Sequence, residues 1–321
     1  MTDATPGFEI ELAVAIDAAL RAGAIQRDHY ERLERIVHKS EKDVVTEVDH
    51  LCEEAILSAI KTRFPDDHSL AEERGASHPA AVDASAQAPK RGSRSGRPAK
   101  DGLDSTGEAA AGTAEAASVA DAPEPPERLW IVDPLDGTVN YANGIPLFCV
   151  SIGLAVRGRP VLGVVYDALR EEMFSGVAGV GAWLDGEPIV HPAKERLIDC
   201  VVSISLPPRG WTERERRVRK AIRVGRNLGS ASLQLVYVAN GRFDAMIQPG
   251  GLSLWDVAGP GVVVEAAGAL VTAPDGSDWF DLRRNSRSVG ILAASPAHHA
   301  TLAEMLRADR PAMPSATPPR V

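Results

Sequence analysis

Cysteine is scarce in this chain: Cys52, Cys149 and Cys200 are widely separated, odd in number and nowhere spaced as C-x-x-C. That argues against a disulfide framework and a zinc site, and it fits a reducing cytoplasm. Long apolar runs are missing too. No stretch approaches the roughly eighteen uncharged apolar residues of a membrane span, and Asp3, Glu9 and Glu11 precede any apolar run, so neither insertion nor secretion is expected. A positive excess is absent: the net charge of -9 argues against a general nucleic-acid binder and favours small-molecule partners. There is no G-x-x-x-x-G-K-[ST] loop, and Gly176, Gly179 and Gly181 precede a hairpin signal instead of opening a Rossmann helix. P-loop and dinucleotide folds are therefore unsupported.

What is present suits a globular enzyme. With 321 residues, 44% hydrophobic and 25% charged, the chain can build one large or two modest domains around a substantial core. Apolar positions at helical spacing predict a helix from Phe8 to about Ile36. A second is predicted from Thr46, with Asp49 as the far half of a capping box, stopping before Pro65. Residues 1–73 form this N-terminal segment. Residues 74–127 are rich in Ala, Ser, Gly and Pro and hold almost no large apolar side chain, so burial there cannot offset ordering entropy. They are read as a disordered low-complexity insertion whose basic half (Lys90 to Lys100) and acidic half (Asp101 to Glu124) make a self-neutralising loop. Residues 128–306 complete the domain, and 307–321, crowded with proline, form a flexible tail.

Within 128–306, Phe148–Val156 and Val161–Asp167 read as antiparallel strands, and Asp185-Gly186 after Trp183-Leu184 is a strong hairpin signal. Helices are predicted at Thr212–Val224, Ala231–Ala239 and Asp256–Ala267, the last ended by Gly268, with a strand near Phe243–Ile247.

One hexapeptide carries the chemistry. Asp133-Pro134-Leu135-Asp136-Gly137-Thr138 follows the apolar Leu129-Trp130-Ile131-Val132, so a buried strand ends by presenting two carboxylates, a glycine turn and a hydroxyl. Two carboxylates there repel unless a cation neutralises them. Oxygen donors without a His or Cys cluster select Mg²⁺ or Mn²⁺ over zinc. The plainer alternative is an Asx-turn. Plain readings also exist for Asp256 as an N-cap and for Asp43 and Glu72-Glu73 as exposed loop charge.

Taken together and in chain order, these segments resemble the inositol monophosphatase family. The likeness rests on Ala71-Glu72-Glu73, on Asp133 to Thr138, and on Trp255-Asp256-Val257-Ala258-Gly259 with Gly268 beyond. Asp43 to Asp49, Val150-Ser151-Ile152-Gly153 and Arg226 to Ala231 extend it over most of the chain outside the insertion and tail. The resemblance implies an α/β fold (α+β layered), an alternating αβαβα sandwich of the sugar/inositol phosphatase type. It also implies a lithium-sensitive phosphomonoesterase using two or three Mg²⁺ ions, with Mn²⁺ as a possible substitute, commonly as a homodimer. By motif match, Glu72, Asp133 and the Leu135 carbonyl would hold one metal, and Asp133, Asp136 and Asp256 a second. The N–H groups of Gly137 and Thr138 would receive phosphate, and Thr138 with Asp49 would orient or deprotonate water near Glu72.

The alcohol, a small phosphorylated polyol or sugar, would be chosen by Gly229, Ser230, Ala231 and the segment before Trp255. There the chain departs from the family pattern: Gln248 stands where a glutamate is usual, followed by Pro249-Gly250-Gly251. Gln can donate and accept but supplies no negative charge. Myo-inositol 1-phosphate leads. Fructose 1,6-bisphosphate, histidinol phosphate and adenosine 3′,5′-bisphosphate remain alternatives on the same scaffold. A regulatory RNA- or protein-associated scaffold is the non-enzyme alternative, supported by the basic run Arg214 to Arg223.

Overall fold

The computed structural model describes residues 7–30, 36–40, 43–77, 124–205, 212–284 and 287–307. Most of the expected insertion and tail, 78–123 and 308–321, lies outside the described residues. Helix α1 (Glu9–His29) leads to a hairpin of β1 (Ile36–Ser40) and β2 (Asp43–Thr46), and α2 (Glu47–Arg63) follows. The first helix is thus shorter than its periodicity predicted, and Ile36 opens a strand. Side-chain anchoring ends the helix. Tyr30 leaves it with ψ 131°, donates its hydroxyl to Gly144 O at 2.7 Å, and stacks 5.6 Å from Tyr141 and 5.2 Å from Phe148.

The larger sheet contains β3 (His68–Ala71), β4 (Gly75–Ser77), β5 (Arg128–Asp136), β6 (Cys149–Val156), β7 (Arg159–Asp167), β8 (Glu172–Val177), β9 (Gly181–Leu184) and β10 (Glu187–Ile189). Their order is β10-β9-β8-β7-β6-β5-β3-β4. Gly75–Ser77, expected to open the insertion, instead pairs with β3. Strand β5 is buried on both faces, which is why it reads as an unbroken apolar run. It pairs parallel with β3 and antiparallel with β6, and the short α3 (Thr138–Ala142) follows it.

The second sheet has the order β12-β11-β13-β15-β14, from β11 (Val201–Ile204), β12 (Val224–Arg226), β13 (Ala245–Leu252), β14 (Leu270–Thr272) and β15 (Val289–Ala294). Helix α4 (Thr212–Ala221) ends sooner than predicted because Val224 pairs with Val201 in this sheet. Helices α5 (Ala231–Ala239) and α6 (Trp255–Ala266) lie between the two sheets, while α4 and α7 (Pro296–Leu306) cover the outer face of the smaller one. With α1 and α2 on the outer face of the larger sheet, the layers run α-β-α-β-α, as the family resemblance implied. All of α5 is buried, so it shows no polar face.

Helix α6 approaches the larger sheet unusually closely. Gly153, Gly163 and Gly176 stand side by side on β6, β7 and β8. A Cβ on Gly153 would sit 2.8 Å from Gly259 N, and one on Gly176 2.7 Å from Val263 Cα. This glycine row forms the groove that seats α6 and thereby aims its first turn, with Asp256, at the end of β5.

Candidate active site

Strands β3 and β5 run parallel, with Ala71 opposite Val132, so their carboxyl ends lie together. Ligand sites in sheets of this kind form at such ends. Glu72, just beyond β3, is half-buried and donates its N–H to Val132 O at 3.2 Å. Its neighbour Glu73 donates N–H to Glu53 Oε2 at 2.8 Å, so a fully buried carboxylate on α2 holds the acidic loop in place.

At the end of β5, Asp133 is 2% exposed and Asp136 8% exposed. Asp256 enters from the first turn of α6, and the three residues offer carboxylate oxygens all within 4.8 Å of one another. The Asx-turn is present as well: Asp133 Oδ1 accepts the Leu135 N–H at 3.0 Å. It does not account for the convergence with Asp256, which comes from a distant segment. Nor does Asp256 cap α6. It lies inside the helix and accepts the Ser253 N–H at 2.7 Å.

Burial pushes Asp133 well above the usual carboxylate range, and the charges of Glu72, Asp136 and Asp256 push it further. Asp256 is raised to about 7, by burial first and then by Asp136. Burial also raises Asp136, but N–H and O–H donors oppose it. The N-terminus of α5 supplies them: Ser232 N–H to Oδ2, Ser230 Oγ to Oδ2 at 2.9 Å and Ala231 N–H to Oδ1 at 3.3 Å. Carboxylates raised in this way fit a hard divalent cation, which would relieve both burial cost and mutual repulsion with oxygen donors alone.

Thr138 begins α3 behind Gly137, which has φ 98° and no room for a side chain, since a Cβ would lie 2.8 Å from Leu147 O. The Thr138 hydroxyl lies 3.0 Å from Leu135 O and 3.3 Å from Asp49 Oδ1. Its single proton reaches one of them at a time. Asp49 is 1% exposed, on the first turn of α2. Gln26, from α1, steadies the turn by donating to Pro134 O at 2.9 Å.

A cleft of about 360 Å³ opens beside the carboxylates, lined in part by Asp136, Asp256, Gly229, Ala231, Gln248 and Ser205. The structure therefore brings three of the four expected alcohol-selecting positions to the metal-ligand candidates. Ser230 is the exception. It is fully buried, and its side chain turns inward onto Asp136 while accepting the Leu233 N–H as the N-cap of α5. Gln248 is held by Ser205 Oγ, which donates to Oε1 at 2.6 Å, and Nε2 donates to Gly250 O at 3.3 Å. A larger cleft, about 420 Å³, lies on the far side of Pro249 and contains none of these carboxylates.

Residues 9–310 match the sequence profile described as the inositol monophosphatase family. The chain belongs to the inositol monophosphatase family. It is 34% identical over 278 residues to inositol monophosphatase 1 of Solanum lycopersicum, covering 84% of this chain and 86% of that one. It is 32% identical over 269 residues to the Nus factor SuhB of Pasteurella multocida, covering 81% and 84%. Among solved structures, the inositol monophosphatase from Anabaena superposes with a TM-score of 0.68 at 29% identity, over 93% of this chain and 96% of that one. As an inositol monophosphatase family member, the protein is a phosphatase hydrolase of a metal-dependent family, and the oxygens of its acidic cluster lie close enough together that they could hold a metal ion.

Several residues around this phosphatase site carry no sequence signal. Ser232, Ser205, Glu53 and Gln26 matter through partners between 20 and 108 positions away. Asn140 similarly ties α3 to the cleft wall, donating to Leu147 O at 2.7 Å and Leu228 O at 2.8 Å. Only Ser230 had a local signature, as a serine ahead of an apolar helix.

Proposed function

We propose that the protein is a Mg²⁺-dependent, lithium-sensitive phosphomonoesterase that hydrolyses a small phosphorylated polyol, with myo-inositol 1-phosphate as the leading substrate. The observation that carries this reading is the convergence of Asp133, Asp136 and Asp256 within 4.8 Å beside a cleft of substrate size. Glu72, Asp133 and the Leu135 carbonyl would hold one ion, and Asp133, Asp136 and Asp256 a second. When bound, such ions supply Lewis acidity for phosphoryl oxygens and lower the pKa of a water.

The remaining work falls to the chain. Gly137 and Thr138 offer backbone N–H groups to phosphate at a turn that admits no side chain on Gly137. Thr138 Oγ, when it donates its proton to Asp49, presents its lone pairs to an incoming water, and Asp49 is the nearby carboxylate able to take up a proton. Gly229, Ala231 and Gln248 line the cleft that receives the alcohol. Assembly as a homodimer in the cytoplasm belongs to the same reading; no helix among the described residues is long and apolar enough to cross a membrane.

A nucleic-acid-associated role, suggested by the relatives named Nus factor, draws on the arginines of α4. Their charge is partly spent: Arg216 pairs with Glu213 at 2.8 Å, Arg219 with Glu215 at 2.6 Å, and Arg223 beyond the helix with Asp199 at 3.0 Å. The phosphatase reading therefore stands first. Its test is phosphate release from a panel of inositol 1-phosphate, fructose 1,6-bisphosphate, histidinol phosphate and adenosine 3′,5′-bisphosphate, with Mg²⁺ and with or without Li⁺. Asp133→Asn should lower Mg²⁺-dependent turnover by at least about 100-fold, since changes to outer partners alone cost about 10–100-fold. Full turnover by that variant would remove Asp133 from the site.

A further inference from the structure

Pro260 lies one turn into α6 and has no N–H, so the carbonyl of Asp256, four residues earlier, lacks its helical donor. Leaving such a carbonyl without a partner where water is excluded counts against the folded state. Ser232 supplies the missing donor. It is fully buried in the first turn of α5, and its Oγ lies 3.3 Å from Asp256 O. The backbone N–H of the same residue donates to Asp136 Oδ2. One residue thus grips two of the three clustered acids, Asp136 by its carboxylate and Asp256 by its main chain.

We propose that Ser232 is a positioning residue which, with Pro260, fixes the separation of Asp136 and Asp256 and so sets the affinity of the acidic cluster for a divalent cation. This rests on the metal-site reading above. A serine in the first turn of a helix ordinarily bonds to its own backbone. Here the hydroxyl instead reaches a residue 24 positions away on a second helix, at the point where a proline has freed an acceptor. Ser232→Ala would keep the N–H to Asp136 but lose the hydroxyl, which interacts with the Asp136 carboxylate as well as with Asp256 O, so only the comparison with the double variant isolates the bridge to α6. Alanine at 260 would restore the helical donor and make the bridge redundant.

The test is calorimetric titration of the metal-free full chain with Mn²⁺ alone, without substrate, for wild type, Ser232→Ala, Pro260→Ala and the double variant. Ser232→Ala is expected to weaken Mn²⁺ binding about 10-fold, the scale seen when an outer partner of a metal ligand is removed. The double variant is expected to recover the part of that loss that belongs to the bridge to Asp256 O, binding Mn²⁺ measurably more tightly than the single variant. In turnover assays the Mg²⁺ concentration for half-activity rises by a similar factor in Ser232→Ala, with a smaller change in kcat. Unaltered Mn²⁺ affinity in Ser232→Ala overturns the proposal, as does a double variant no better than the single. A loss of thermal stability that is the same with and without Mn²⁺ marks a purely structural bond and also overturns it. If the wild type binds no Mn²⁺, the metal-site reading itself falls, an outcome distinct from the others.

Discussion

Removing the metal should make the stability of this protein depend on pH through its acidic cluster. Asp256 is raised from the ordinary 3.8 to about 7 in the folded chain, by burial and then by Asp136. A carboxyl raised by folding favours the fold while it is protonated. Its contribution is complete below the unfolded pKa near 3.8 and is lost as pH climbs through about 7. Each pH unit of displacement is about 1.4 kcal/mol, so the titration of Asp256 together with its neighbouring acids makes on the order of 4 kcal/mol pH-dependent. That is a large share of the roughly 5–15 kcal/mol that holds a domain folded.

Urea unfolding in chelator at pH 5 and pH 8 measures this, with Asp256→Asn as the reference. Asparagine can keep the 2.7 Å bond from the Ser253 N–H through its amide oxygen and does not titrate. Between pH 5 and pH 8 about two of those units are crossed, so the wild type should lose about 3 kcal/mol more than the variant. Saturating Mg²⁺ should abolish most of the difference, because a ligand bound only by the folded state stabilises it. Groups away from the cluster, such as His299, which burial pushes down, cancel in the comparison, while Asp133, which the Asp256 charge raises, is raised less in the variant and shifts the difference the same way. Equal pH slopes for wild type and variant in chelator would refute the reasoning.

Two further outcomes follow from local geometry. Gly137→Ala forces a Cβ to within 2.8 Å of Leu147 O at a residue with φ 98°, so turnover should fall by about 10-fold or more with a stability loss of about 1–3 kcal/mol, read by kinetics and melting. Gln248→Glu places a negative charge in the cleft wall, where Ser205 Oγ can still donate to it. KM for a bisphosphate should rise relative to KM for inositol 1-phosphate, and equal changes in both would show that Gln248 does not face the alcohol.

Sequence patterns were most informative where one local rule decided the outcome. The hairpin at Asp185-Gly186 formed with positive φ at both residues, 52° and 82°. Helix α6 stopped at Ala266, just short of Gly268, whose φ is 90°. Patterns were least informative where a distant partner overrode periodicity. Tyr30 turned out of α1 to reach Gly144, and Val224 left the predicted end of α4 to pair with Val201. Both segments carry a helical stripe in one dimension, and both yield to contacts that no local pattern encodes.

From the sequence alone came the chemistry of the carboxylates and the family resemblance, because residue type and chain order are properties of the chain itself; the layered architecture was what that resemblance implied. Tertiary structure alone decided how those residues meet. The glycine row across β6, β7 and β8 lets α6 approach closely enough to bring Asp256 to Asp133 and Asp136, and α5 turns its N-terminus onto Asp136 instead of leaving Ser230 to the cleft. Separations of a few ångströms between residues 94 or more positions apart depend on packing, and packing is settled only when every layer is in place.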